Sequence, residues 1–184
     1  MDYDEVSNRD RSVVAKQLDR DPIGLVGIGY RCKFGFPAVL VTKPLIIRPD
    51  GDFEVFPTLF WLTCPKRATE IAHLESGGFI KKLERKLKNE PKLRARYREA
   101  EKSYLKAQHE LLTPEEETFI NHHGLQGALS RGIGGIESDL NVKCLHLHVA
   151  HELVTENPLG NVVIKRLELE DCPEDDVICE GLIA

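Results

Sequence analysis

Between residues 7 and 19, Val13, Val14 and Leu18 recur on one side of an otherwise polar stretch. This is the period of a short amphipathic helix, which Pro22 ends. The rhythm then shortens. Residues 25–30 and 38–42 are apolar runs separated by a turn at Phe34-Gly35-Phe36-Pro37, residues 45–48 and 53–56 flank Pro49-Asp50-Gly51-Asp52, and residues 58–63 are a further apolar run. Short strands joined by tight turns predict a small, largely antiparallel sheet. From Pro65 the period is helical. Proline suits the first helical position, which makes Cys64 the expected N-cap. That helix runs to about Ser76, Gly77-Gly78 interrupts it, and a second stretch continues to Lys88. A third helix opens at Pro91, with Leu93, Tyr97, Ala100, Tyr104, Ala107 and Leu111 forming a single stripe suited to packing on a partner helix.

Beyond the hairpin at 65–112, Thr113-Pro114 has the capping residue and first-turn proline of another short helix. Residues 124–135 are glycine-rich and read as a loop. Ser138 is placed to cap a helix running to about Glu156, Asn157-Pro158-Leu159-Gly160 stops it, and residues 162–170 end in the alternation of a strand. The pattern predicts an α+β fold in one domain over 1–184. Residues 20–64 are mainly β, residues 65–156 are mainly α, and residues 157–184 form a C-terminal extension.

Composition adds compartment and charge. No apolar run approaches the roughly 20 residues needed to span a bilayer, and the acidic start at residues 1–5 is unlike a secretory signal. Five cysteines without framework spacing suit reduced thiols in the cytoplasm. The net charge of -5 hides an asymmetry: residues 81–106 hold eleven bases against four glutamates, whereas residues 168–180 are acidic without a base. The basic hairpin, with Arg94 and Arg98, is therefore a candidate surface for an acidic protein partner. Nucleic acid is the poorer fit, because glutamates interleave the bases and no nucleic-acid motif accompanies them.

The densest chemistry lies in 142–151, which holds Cys144, His146, His148 and His151. These are ligands that transition metals prefer. On a continuous helix, Cys144, His148 and His151 share one face over two turns. His146 falls beside the apolar stripe of Val142, Leu145, Val149 and Leu153, which makes it the histidine expected to be buried. A tetrahedral site needs a fourth ligand, for which Cys32 and Cys64 are the best candidates, each at a strand end. Cys172 and Cys179, in the acidic end, fit less well.

Two further readings compete. Cys64 at a helix N-terminus has the setting of an activated nucleophile, with His146 or His151 as partner. Backbone amides around Arg131, Gly132, Gly134 and Gly135, just ahead of the expected helix, could cradle an anion, although a connector is the simpler meaning.

Several motifs occur together in one order: Tyr30-Arg31-Cys32, the run from Phe56 to Pro65, Val142 to His146 with Ala150-His151, and Asn157-Pro158-x-Gly160. In these the chain resembles the bacterial family grouped as domain of unknown function 501 (DUF501). The resemblance implies no activity. Its members are often encoded near a septum-formation protein and an exopolyphosphatase. It maps onto Cys32, Cys64, Cys144, His146 and His151, with an apolar residue in place of His148 in some members. That implies a ligand set of Cys32, Cys64, Cys144 and His151, suited to zinc or an iron–sulfur cluster. The acidic end after Leu167 departs from the pattern. Two functions follow as expectations. One is a Cys/His metal site, either structural or for metal-assisted hydrolysis. The other is a non-enzymatic interaction module, possible partners including a cell-division protein, in which the Cys and His residues only pack.

Overall fold

The computed structural model describes residues 1–48 and 50–183; Pro49, part of an expected turn, lies outside them. The fold is α+β, as the pattern predicts. Strands β1 (Leu25–Arg31), β2 (Pro37–Thr42) and β5 (Phe60–Leu62) form an antiparallel sheet with β2 in the centre. Every residue of β2 is buried, as befits a strand covered on both faces. The intervening strands β3 (Leu45–Ile47) and β4 (Phe53–Val55) do not join this sheet. They pair only with each other, in a two-stranded ribbon.

Helix α1 (Asn8–Leu18) starts in a capping box between Ser7 and Asp10. Helix α2 (Pro65–Ser76) begins at Cys64 with proline in its first turn, although no side chain caps it. Gly78, at φ 75°, breaks the chain between α2 and α3 (Phe79–Asn89), a conformation glycine adopts without a Cβ clash. Helix α4 (Pro91–His109) buries Tyr97, Ala100 and Tyr104 of the predicted stripe. The Tyr104 hydroxyl accepts a hydrogen bond from the Leu59 N–H (2.6 Å) and donates one to the Pro57 carbonyl (2.8 Å), which fixes α4 against the entry to β5. The expected Thr113 cap opens α5 (Pro114–His122), and Glu116 reaches back to complete a capping box. The glycine-rich segment contains a one-turn helix, α6 (Gln126–Leu129).

Two boundaries differ from the pattern. Helix α7 spans Leu145–Val154, so Cys144 is its N-cap rather than a residue of its face. Ser138 caps only a turn, accepting from the Leu140 N–H. Between them the chain is held by tertiary partners: Asp139 by Arg94 and Arg98, and the Val142 N–H by Glu84. The second difference is a helix, α8 (Pro158–Leu167), where a strand was expected. Asn157-Pro158 is a helix start, not only a stop: the Asn157 Oδ1 accepts from the N–H groups of Leu159 and Gly160, both at 3.0 Å. The last element among the described residues is α9 (Ile178–Ile183), which packs on α1.

Helix α7 is buried on nearly all sides, between β5, α4 and α8. The tightest approach is at Gly160, where a Cβ would collide with the His148 carbonyl and lie 2.7 Å from the Glu152 Cβ. Gly160→Ala therefore forces α7 and α8 apart. We expect it to cost about 2–3 kcal/mol, the scale of core overpacking, read as a lower urea midpoint at unchanged slope. An unchanged midpoint would mean that the two helices are not held this closely.

Candidate metal centre

The four ligand candidates of the 142–151 segment part into two groups. Cys144, off the helix, sends its Sγ to within 3.3 Å of the His146 Nδ1. Glu75, at the end of α2, places Oε1 3.2 Å from the same nitrogen and accepts the Leu145 N–H at the start of α7. The other ring nitrogen of His146 lies 3.0 Å from the Ala68 carbonyl. A carbonyl only accepts, so Nε2 carries a hydrogen. Ligand atoms of Glu75, Cys144 and His146 lie within 4.8 Å of one another, and all three residues are half-buried. The Cys144 sulfur and the Ala68 carbonyl pull the His146 pKa up to about 9, against the opposing effect of burial.

His148 and His151 turn the other way, into the core. Asn157 donates from Nδ2 to both imidazoles, reaching His148 Nδ1 at 3.2 Å and His151 Nδ1 at 3.1 Å. The amide is oriented by its oxygen, which caps α8, so both rings accept at Nδ1 and carry their hydrogen on Nε2. His151 stacks on Phe60 and meets Tyr104 edge-on, and His148 meets Tyr97 edge-on. Burial holds both neutral, pushing His148 down to about 4 and His151 to about 3. The expected order of burial is thus reversed. His146 is half-exposed, and the two histidines placed on the metal face are in the core. The cause is the docking of α8, α4 and β5 over the face that holds His148 and His151, while the late start of α7 separately removes Cys144 from that face.

Cys32 and Cys64 do converge, but not on Cys144 and His151. They line a small pocket with Cys172 and Cys179. Among the described residues, Glu75, Cys144 and His146 are the one trio of His, Cys, Asp or Glu residues within 4.8 Å of one another. Burial pushes the Cys64 thiol up, against the N–H and charge of Arg67, and no imidazole bonds to it among the described residues. The loop at 131–135 does not precede a helix N-terminus, since α7 begins only at Leu145. Its Gly132 and Gly135 N–H groups bond within the turn, to the carbonyls of Ile136 and Gly132, and Arg131 pairs with Glu137. Arg94 grips Asp139 through two nitrogens, at 2.6 and 2.9 Å, and Arg98 binds the same carboxylate, so both are engaged within the chain. Glu75 and Asn157 carry the chemistry of the two histidine groups without having been singled out for it. Nothing local marks Glu75, whereas Asn157-Pro158 has the composition of a helix cap.

The fold is α+β, with one group of Glu75, Cys144 and His146 and one pocket lined by four cysteines. Residues 28–165 match the family described as protein of unknown function (DUF501), and the chain belongs to it. Comparison with curated proteins and with solved structures gave no match. Among the described residues no helix is long and apolar enough to cross a membrane.

Proposed function

We propose that the protein binds a transition metal, zinc by its donor set, through Glu75, Cys144 and His146, and that the ion clips the end of α2 to the start of α7. The observation that carries this reading is the His146 ring. Its Nε2–H is committed to a backbone carbonyl while Nδ1 faces a sulfur and a carboxylate oxygen. That is how an imidazole ligand is oriented from its far side. Oxygen, sulfur and nitrogen donors all bind zinc, and three of them leave one coordination position. A water there would be polarised for hydrolysis, which is the chemistry a bound ion supplies. Five unbridged cysteines suit a reducing compartment, and we place the protein in the cytoplasm on that basis.

Metal analysis of the full chain, purified without added metal and then loaded with zinc, tests this. Cys144→Ser and His146→Ala are each expected to lose about one bound equivalent while remaining folded. Zinc content unchanged by both substitutions would sink the proposal.

The interaction reading keeps one observation in its favour. On α3, Lys81, Lys82, Arg85 and Lys88 are exposed, and none is in an ion pair among the described residues. An acidic partner would meet this face rather than Arg94 and Arg98.

A further inference from the structure

The C-terminal segment after α8 is ordered with little to hold it. From residue 164 to residue 183 only Cys179 is buried, and the segment carries seven acidic residues. Segments this acidic, with so little apolar burial, ordinarily stay unfolded, because burial does not offset lost chain entropy. Here it returns to the turn between β1 and β2. Asp171 pairs with Arg67 at 3.0 Å and accepts the Lys33 N–H at 3.3 Å, and Gln17 donates to the Cys179 sulfur at 3.3 Å. The return brings Cys172 and Cys179 to the pocket already lined by Cys32, at the end of β1, and Cys64, at the start of α2. Four of the chain's five cysteines thus line one pocket, from three separate stretches of sequence.

We propose that Cys32, Cys64, Cys172 and Cys179 form a four-thiolate site for a thiophilic metal centre, which staples the acidic C-terminal segment to the sheet. Sulfur ligands from separated segments are the usual means of ordering a chain that lacks a core of its own. Each thiol releases its proton to solvent as its sulfur binds. Four thiolates around a divalent ion carry a net charge of -2, and a positive group stands ready. Arg67 is 4% exposed, its Nη1 has no hydrogen-bond partner, and its charge acts on Cys64. Among the described residues no three of the sulfurs lie within 4.8 Å of one another. A zinc ion bound at about 2.3 Å needs them roughly 3.8 Å apart, so a single ion draws them inward. An iron–sulfur cluster sits between its cysteines and accepts wider spacing. Both use the same four thiolates, and the experiment separates them. Cys172 and Cys179 lie beyond the residues that match the family, so the site completes a family half with a segment outside the match.

The full chain, as purified and after zinc loading, is compared with Cys172→Ser, Cys179→Ser and their double variant. Metal and acid-labile sulfide are measured, together with the charge-transfer absorption of cobalt-substituted protein. The double variant is expected to lose about one metal equivalent, or the iron and sulfide of one cluster, and most of the thiolate–cobalt band. Zinc without sulfide identifies a single ion, and iron with sulfide identifies a cluster; either supports the site. Chelation is expected to expose residues 168–176 to protease in the parent chain, whereas the double variant is already cut. Cys144→Ser serves as the control, since it removes a ligand only from the centre at Glu75 and His146 and is expected to keep the metal at the four thiols. Both variant residues lie in the terminal segment, so the remaining fold is followed by circular dichroism. A double variant with the parent's metal content and cobalt spectrum would overturn the proposal, as would a parent chain that binds neither centre through these thiols.

Discussion

Asn157→Ala is expected to destabilise the protein by about 3–5 kcal/mol. The side chain is fully buried and has two separate duties. Its oxygen caps α8, a bond pair whose loss costs about 1 kcal/mol. Its nitrogen satisfies two buried imidazoles, and each acceptor left without a partner costs about 1–3 kcal/mol. Urea unfolding of the purified variant measures the sum, and Asn157→Ser separates the parts. Serine can cap but is too short to reach the rings, so it should recover only about 1 kcal/mol. Full recovery by serine would show that the imidazoles do not depend on this residue.

The second large effect is acid unfolding in two histidine steps. His148 and His151 have an ordinary value of 6.5 and are held down to about 4 and about 3 in the fold. Below pH 6.5 the unfolded chain takes up protons that the folded chain refuses. The stability these neutral rings contribute is complete above pH 6.5 and is lost as the pH falls toward 4 and then 3. Each ring alone contributes a slope of up to about 1.4 kcal/mol per pH unit in that window. The urea midpoint should therefore drop steeply from pH 6 to pH 4, earlier than Asp10 alone would cause, since Arg31 holds that carboxyl down to about 2. His151→Phe, which keeps an aromatic ring against Phe60 and Tyr104, should roughly halve the slope. A midpoint that stays level between pH 6 and pH 4 would contradict the neutral burial of both rings.

Residues that act through local rules were legible in the sequence. Pro65, Thr113 and Pro91 mark helix starts, Gly77-Gly78 marks a break, and the stripe of Tyr97, Ala100 and Tyr104 faces the core as its period predicts. The α+β class follows from the same rules. What was not legible depends on partners distant in the chain. The turn residue Ser138 looked like a helix cap because its competitors, Arg94 and Arg98 on Asp139 and Glu84 on Val142, lie on other helices. The start of α7 six residues later takes Cys144 off the helical face, and the covering of the opposite face by α8 and α4 buries His148 in place of His146. Asn157-Pro158 reads as a stop because a cap and a stop share the same composition; only the imidazoles at 148 and 151 show which side chains Asn157 serves. Cys172 and Cys179 lie in an acidic end, and nothing local says that this end folds back to Cys32 and Cys64.

The carboxylate of Glu75 is the clearest instance of a long-range start signal. It accepts the first N–H of α7 from a position 70 residues earlier, while the residue at the helix's own N-cap, Cys144, makes no capping bond. A helix that borrows its start in this way cannot set its boundary from its own sequence. The first turn of α7 is thus conditional on α2 being docked beside it, so a nominally local boundary carries the entropic cost of closing a long loop. A change that loosens α2 from the sheet would therefore unsettle Cys144 and the first turn of α7 as well, although it touches no residue of that segment.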